Sequence, residues 1–275
     1  MYSKKRFVIR VLKLVFPILS LSITLLQAAS LEQIRARGVL RVAISEDYPI
    51  LNQLNGDLRQ GLEINLAYGF ADFLGVQVEL LPAGLTSYSM MLSTGEADII
   101  LGGLSRTLTR ARTITFSEPY ISVTPAALVD ARLMPKTQFG EIFEEKPVRT
   151  LLDLTRIQGL KLGVKMGSAY EPLVQDWFPG YKIIKYSKNA DGLNMLRKGE
   201  IQALVHDSLY LQGLQQSTSS LRNDYALLSG GRRVEVICAG FPFADLLMKN
   251  LFDTYVAELK RTGTLDRWLQ EFSGK

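Results

Sequence analysis

Residues 91–120, MLSTGEADIILGGLSRTLTRARTITFSEPY, decide the fold class. They hold the end of an apolar helix, a Gly-Glu turn and a short apolar strand, Ile99–Leu101, that stops at two glycines. Hydroxyl and guanidinium side chains follow, among them Ser105 and Arg110. In open α/β sheets, ligands bind beyond the carboxyl ends of strands, and a guanidinium offers a carboxylate two parallel N–H donors. The stretch therefore predicts a site for a small carboxylate at the end of a buried strand.

A second stretch repeats this unit 104 positions later in the chain. MLSTGEADIILGG begins at Met91 and MLRKGEIQALVHD begins at Met195, and both combine Met-Leu, two variable residues, Gly-Glu and an apolar strand. Gly103 in the first copy corresponds to Asp207 in the second. Two similar α/β units would bring two strand ends together across a cleft that can close on a ligand. A chance likeness is the alternative, because Gly-Glu turns are common.

The segments before residue 91 alternate between strand and helix patterns. Residues 39–44 and 76–81 have strand patterns, and residues 62–74 have the spacing of an amphipathic helix. Residues 86–93 predict another helix, with Thr86 as its N-cap. This βαβαβ order predicts an open, mostly parallel sheet with helices on its faces, and a similar pattern resumes in the second half of the chain.

The first thirty residues have the composition of a secretory signal peptide. Five basic residues and no acidic ones lie there, and an apolar run over residues 14–26 ends in Ala28-Ala29-Ser30. A membrane anchor is the alternative, but the run is shorter than the ~20 residues that a spanning helix needs. We therefore expect residues 1–30 to be cleaved and the mature protein to be periplasmic in a Gram-negative bacterium.

The charge balance changes once this leader is set aside. The whole chain has 32 Lys and Arg against 27 Asp and Glu, and the five basic residues of the leader account for the excess. A balanced mature chain favours neither nucleic acid nor an anionic membrane as a partner. A single cysteine, Cys238, and a single histidine, His206, exclude an intrachain disulfide and a multi-histidine metal site. We expect no metal and no cofactor.

The ordered motifs resemble family 3 of the periplasmic solute-binding proteins, which deliver polar amino acids to ABC importers. The resemblance covers residues 31–275 and rests on GVLRVAISEDYP, GLEINLAYGFADFLGV, ADIILGGLSRTLTRARTITFSEPY, GVKMGSAYE, ALVHD and KRTGTLDRWL, in that order. It implies the type II periplasmic-binding-protein fold, in which two α/β lobes, each an open mostly parallel sheet flanked by helices, enclose a ligand cleft. It also implies a monomer that hands a small amino-acid-like ligand to a membrane permease.

The implied lobes are discontinuous in sequence. Residues 31–121 and 237–275 would form lobe 1, and residues 122–236 would form lobe 2. The chain would cross between the lobes at hinges near residues 120–124 and 233–237. Such a hinge lets the lobes close on a ligand.

The resemblance implies ligand contacts from several positions. Arg110 corresponds to the arginine that grips the α-carboxylate, Ser105 to the hydroxyl residue beside it, and Gly103 to the carbonyl that accepts from the ammonium. Asp207 corresponds to the acid that pairs with the ammonium, with a helix N-cap as its alternative role. Tyr48 corresponds to an aromatic residue that covers the ligand, with ordinary packing as its alternative.

Further implied contacts come from lobe 2. Gly167, Ser168 and Ala169 precede a helix, so their backbone N–H groups could meet an anion. Lys165 and His206 match positions that, in glutamine-binding members, touch the ligand side chain or brace the closed cleft. Packing between the lobes is the alternative for His206.

Two departures and two alternatives accompany the resemblance. Leu85 and Ile50 stand where the family commonly has aromatic residues, so the resemblance does not name the amino acid. Cyclohexadienyl dehydratases look similar and use a glutamate in the loop of the second lobe, where this chain has Glu171; a glutamate that stabilises the first helical turn is the structural alternative. A stand-alone sensory binding protein is the other alternative. Lytic transglycosylases carry a similar lobe pair followed by a lysozyme-like domain, which we do not expect here.

Overall fold

The computed structural model describes residues 31–45, 47–55, 58–134, 148–230 and 233–274. The strands in these ranges are β1 (Val39–Ser45), β2 (Gln53–Asn55), β3 (Leu58–Gln60), β4 (Gln77–Ala83), β5 (Ile99–Leu101), β6 (Ile114–Phe116), β7 (Ile121–Val123), β8 (Pro125–Asp130), β9 (Lys161–Lys165), β10 (Lys182–Tyr186), β11 (Ala203–Asp207), β12 (Tyr225–Ser229), β13 (Glu235–Ile237) and β14 (Gly240–Pro242). The α-helices are α1 (Leu31–Arg37), α2 (Leu62–Leu74), α3 (Tyr88–Ser93), α4 (Tyr170–Trp177), α5 (Asn189–Arg197), α6 (Ser208–Ser217), α7 (Ser219–Asp224), α8 (Leu246–Arg261) and α9 (Thr264–Ser273). The predicted signal peptide, residues 1–30, lies outside the described residues.

A five-stranded sheet in the order β4-β1-β5-β14-β6 forms the first half of the molecule. Strand β1 pairs in parallel with β4 and β5, whereas β14 pairs antiparallel with β5 and β6. Helices α2, α3 and α8 pack against this sheet. We call the sheet and these helices lobe 1.

A second five-stranded sheet has the order β10-β9-β11-β8-β12. Strand β9 pairs in parallel with β10 and β11, and β8 pairs antiparallel with β11 and β12. Helices α4, α5, α6 and α7 pack against it, and together they form what we call lobe 2. The two-lobed α/β architecture is confirmed. In each sheet, two neighbouring strand pairs are parallel and the other two are antiparallel.

Strands β7 and β13 pair antiparallel with each other, outside both sheets. They lie where the two hinge crossings are predicted. A pair of short strands can bend more easily than a five-stranded sheet, because fewer neighbouring strands hold it in place. The predicted lobe boundaries stay a prediction.

Helix α2 shows how the core of lobe 1 is built. Leu62, Leu66 and Phe70 are fully buried at the spacing of an amphipathic helix, whereas 52% of Phe73 is exposed. The helix follows Gly61, at which a Cβ atom would lie 2.3 Å from the carbonyl oxygen of Leu51. Only glycine allows the chain to pass this closely.

The helix predicted over residues 86–93 begins two residues late, at Tyr88. Thr86 is therefore not its N-cap, and that prediction was wrong. The backbone N–H and the hydroxyl of Ser87 both donate to the carbonyl of Gly84, at 3.0 and 2.8 Å. Because residues 84–87 form this tight turn, α3 begins only after the turn is complete.

Membrane-spanning helices and metal-binding clusters are both absent from the described ranges. None of the helices there is long and apolar enough to cross a membrane. No cluster of three or more His, Cys, Asp or Glu side chains in the same ranges could hold a metal ion.

Candidate functional site

A small cavity lies between the two lobes, at the carboxyl ends of β5 and β11. It measures about 30 Å³, and we call it the central cavity. Of the ten residues predicted to contact a ligand, all but Gly167 line it: Tyr48, Gly103, Ser105, Arg110, Lys165, Ser168, Ala169, His206 and Asp207. Six further residues complete its walls: Ser45, Leu85, Tyr88, Gly102, Tyr170 and Asn189. The structure thus brings the predicted residues together; their contact with a ligand stays a prediction.

The guanidinium of Arg110 lies between the lobes. Its Nη1 donates to the carbonyl of Ser105 at 2.7 Å, and its Nη2 donates to the carbonyl of Gly167 in lobe 2 at 2.9 Å. Burial lowers the pKa of Arg110, and none of the described acidic groups forms a salt bridge with it. Arg106 and Arg112 are exposed instead. A partly desolvated cation whose hydrogen bonds within the described residues go to neutral carbonyls is suited to a ligand anion.

A buried acid that the sequence patterns did not predict, Glu63, lies behind the strand end at Gly103. The backbone N–H of Gly103 donates to both carboxyl oxygens of Glu63, at 2.9 and 3.0 Å. The hydroxyl of Tyr120, next to β7, donates to the same carboxyl group. Glu63 is fully buried, and this burial raises its pKa to about 7 despite the two hydrogen bonds.

The strand end at Asp207 carries its own acid. Its Oδ1 accepts from the backbone N–H of Tyr210 at 2.8 Å, so Asp207 is the N-cap of α6. Its Oδ2 lies 2.7 Å from Nδ1 of His206. Burial opposes ionisation of Asp207, but the charge and hydrogen bond of His206, the nearby Tyr48 hydroxyl and the Tyr210 N–H outweigh it, and the pKa is lowered. The structural role considered for Asp207 is therefore present, and it leaves a second role at the cavity open.

Tyr48 reaches from lobe 1 into lobe 2. Its ring lies edge-on to His206 and Tyr210, with centroid distances of 5.8 and 5.4 Å. On its other side it covers Gly103, where a Cβ atom would lie 2.4 Å from Cε1 of Tyr48. Burial and the nearby charge of Asp207 raise the pKa of Tyr48. The aromatic residue predicted to cover a ligand thus stands between the two strand ends.

The central cavity gathers polar groups that lack a partner. Six buried side-chain N or O atoms of the described residues have no hydrogen bond, and four of them belong to residues lining this cavity. The four are the hydroxyls of Tyr48, Ser168 and Tyr170 and the Oδ1 atom of Asn189. Buried polar groups are almost always satisfied in folded proteins, and exceptions cluster at functional sites. The cavity is therefore suited to a polar ligand.

Two backbone N–H groups of the loop before α4 have partners within the loop. The backbone N–H of Gly167 donates to Glu171 at 2.7 Å, and that of Ser168 donates to the carbonyl of Lys165 at 3.1 Å. These two N–H groups are thus occupied within the loop in this geometry, and the expectation that the loop meets an anion stays a prediction. Glu171 also pairs with Lys185 at 2.6 Å. Its contacts match the structural alternative considered for it.

Two α/β lobes that meet at a polar, arginine-bearing cavity define a two-lobed binding protein with the type II periplasmic-binding-protein fold. The family model of the bacterial extracellular solute-binding proteins, family 3, matches residues 40–275. The chain therefore belongs to this family, and the resemblance read from its motifs is confirmed.

Two curated relatives show how far the likeness extends. The membrane-bound lytic murein transglycosylase F of Idiomarina loihiensis is 29% identical over 209 residues, which are 71% of this chain but 43% of that protein. The L-cystine-binding protein of Escherichia coli K12 is 26% identical over 248 residues, which are 89% of this chain and 86% of that protein.

A solved structure supports the fold. It is the crystal structure of an ancestral amino-acid-binding protein described as a precursor of cyclohexadienyl dehydratase. The TM-score is 0.74 at 24% sequence identity, and the alignment covers 89% of this chain and 99% of the other.

Proposed function

We propose that this protein captures an amino acid or a similar small carboxylate by lobe closure and delivers it to an ABC importer. The observation that carries the proposal is the half-buried guanidinium of Arg110, which has no acidic partner among the described residues and lines the same cavity as three unpartnered hydroxyls. Arg110 would bind the ligand carboxylate, and Asp207, on the opposite lobe, would bind the ammonium. A zwitterion that bridges both would stabilise the closed state.

The L-cystine-binding relative, which aligns over most of both chains, supports an amino-acid ligand. The family description as extracellular agrees with export through a signal peptide at residues 1–30 and with a periplasmic location. We propose a monomer that closes about β7 and β13 and docks on a membrane permease.

An enzyme is the weaker candidate. The dehydratase hypothesis needs the carboxylate of Glu171 at the ligand, yet this group binds Gly167 and Lys185 on the wall of lobe 2. The likeness to the transglycosylase concerns less than half of that protein. Loss of prephenate or arogenate dehydration in Glu171→Gln would favour the dehydratase over the binding protein.

The test is a thermal-shift screen of the protein against the twenty amino acids, opines and polyamines. A ligand at 100 times its Kd should stabilise the folded state by about 2.7 kcal/mol. Arg110→Ala should abolish the shift, while Arg106→Ala, which removes an exposed arginine of the same loop, should keep it. A shift that survives Arg110→Ala would contradict the carboxylate assignment.

A further inference from the structure

A larger cavity opens directly beside the central cavity, and we call it the side pocket. It measures about 340 Å³ and is lined by Asp47, residues 83–86, Lys165, Met166 and residues 187–190. Leu85, Lys165 and Asn189 line both cavities, so the two are contiguous. Its walls come from both lobes, which means that it is complete only when the lobes are closed.

Asn189 stands at the junction of the two cavities. It begins α5, directly after the loop that follows β10, and only 6% of its surface is exposed. Its Nδ2 donates to the backbone carbonyl of Asp47 in lobe 1 at 2.7 Å. This bond fixes the orientation of the side-chain amide, so Oδ1 is an acceptor. Oδ1 is buried and has no donor among the described residues.

The charged residues of the side pocket limit which kind of ligand group can donate a hydrogen bond to Oδ1 of Asn189. Lys165 and Lys188 contribute two ammonium groups to its walls, and Asp47 contributes one carboxylate. A cationic ligand end would meet two positive groups against one negative group, and a purely anionic end would leave Asn189 without a donor. A neutral group that both donates and accepts suits this wall, and an amide is such a group.

We propose that Asn189 accepts a hydrogen bond from an amide N–H of the ligand and thereby sets its specificity. The proposal rests on the proposed function, since the ligand carboxylate is taken to lie on Arg110. The amide belongs either to a side-chain carboxamide or to a γ-linked peptide bond, because the side pocket has room for a chain that continues beyond the amide.

The experiment measures Kd calorimetrically for L-glutamine, γ-glutamylglycine and L-methionine. Methionine matches the length of glutamine but has no amide. Wild type should bind one of the amide ligands roughly tenfold more tightly than methionine, and Asn189→Ala should reduce this ratio to near one. The favoured amide ligand distinguishes a free carboxamide from a peptide. The ratio is the informative quantity, because loss of the Asn189–Asp47 bond weakens all three ligands alike.

Asn189→Asp supplies the matched control. It loses the Nδ2 donor, and hence the bond to Asp47, but it keeps acceptor oxygens at the same place. It should weaken all ligands while preserving the preference for the amide. Equal loss for methionine and the amide ligands in Asn189→Ala, or no amide preference in wild type, would overturn the inference. In either case, amino-acid binding that still depends on Arg110 would leave the proposed function standing.

Discussion

The two copies of the helix–turn–strand unit share the order of their elements but end differently. Strand β5 ends at Leu101 and is followed by Gly103, whose N–H donates to the buried acid Glu63 behind it. Strand β11 ends in Asp207, which carries the acid at its tip and is held by His206 and by the N–H of Tyr210. One unit therefore presents bare backbone beside Arg110, and the other presents a carboxylate. The same helix–turn–strand unit can therefore suit ligand groups of opposite charge. Which charge it suits depends on whether its acid lies behind the strand end or at the tip.

The largest expected effect concerns the acid behind the first strand end. The pKa of Glu63 is about 7 in the folded state and 4.5 ordinarily, so the folded state binds more protons between these values. The free energy of unfolding therefore falls as pH rises from 4.5 to 7, by about 3 kcal/mol. Glu63→Gln should remove this loss, and urea unfolding of both proteins from pH 4 to 8 measures it. Parallel curves would contradict the raised pKa.

Gly103→Ala tests whether bare backbone is needed at the first strand end. The new Cβ would lie 2.4 Å from the ring of Tyr48, and the φ angle of +63° already disfavours alanine. We expect a loss of about 2 kcal/mol in unfolding free energy. Gly95→Ala is the control, because its φ is +71° with open space around it, and it should cost about 1 kcal/mol. Equal losses would show that the contact with Tyr48 does not matter.

Substitutions at Asp207 separate its two roles. Asparagine is a good N-cap, so Asp207→Asn should keep most of the stability, while Asp207→Ala should lose about 1 kcal/mol more. Both should weaken an amino acid, by roughly tenfold, and leave its 2-oxo analogue, which lacks the ammonium, nearly unchanged. Denaturation and calorimetric titration of the two variants provide the measurements. An equal effect on both ligands would remove Asp207 from ammonium recognition.

The smallest effect is expected at the residue between the two strand ends. Tyr48→Phe keeps the ring contacts with His206 and Tyr210 and removes a buried hydroxyl that lacks a partner. The unliganded protein should gain up to about 1 kcal/mol in unfolding free energy. A clear loss would mean that the hydroxyl is hydrogen-bonded to Asp207, which would join the two strand ends directly.

Local sequence patterns were enough to predict the α/β class, because the repeated stretches that begin at Met91 and Met195 mark two strands that both end at the cleft. The ligand roles of Arg110 and Asp207 were predicted from the family resemblance, which singles out Arg110 among the three arginines that follow β5. Asn189 likewise follows a strand, β10, yet its bond to Asp47 joins positions far apart in the chain. No local pattern indicates such a contact between lobes.

Glu63 left a weaker signal in the sequence. It stands between Leu62 and Ile64 at the start of an amphipathic helix, a place where an exposed acid would stabilise the helix through its dipole. That ordinary role hides its burial, which arises only because Gly103 and Tyr120 meet it from other elements. The delayed start of α3 was likewise not predictable from Thr86, because the turn at Gly84 depends on backbone geometry.

The bond from Arg110 to Gly167 and the bond from Asn189 to Asp47 have a kinetic consequence. Each bond joins a side chain of one lobe to a backbone carbonyl of the other, so neither bond depends on a ligand. The two bonds therefore supply part of the free energy of closure, and a ligand needs to supply less of it. The same two bonds must break before the lobes can part, so they lengthen the residence time of any ligand inside. Weakening either bond should speed release and handover.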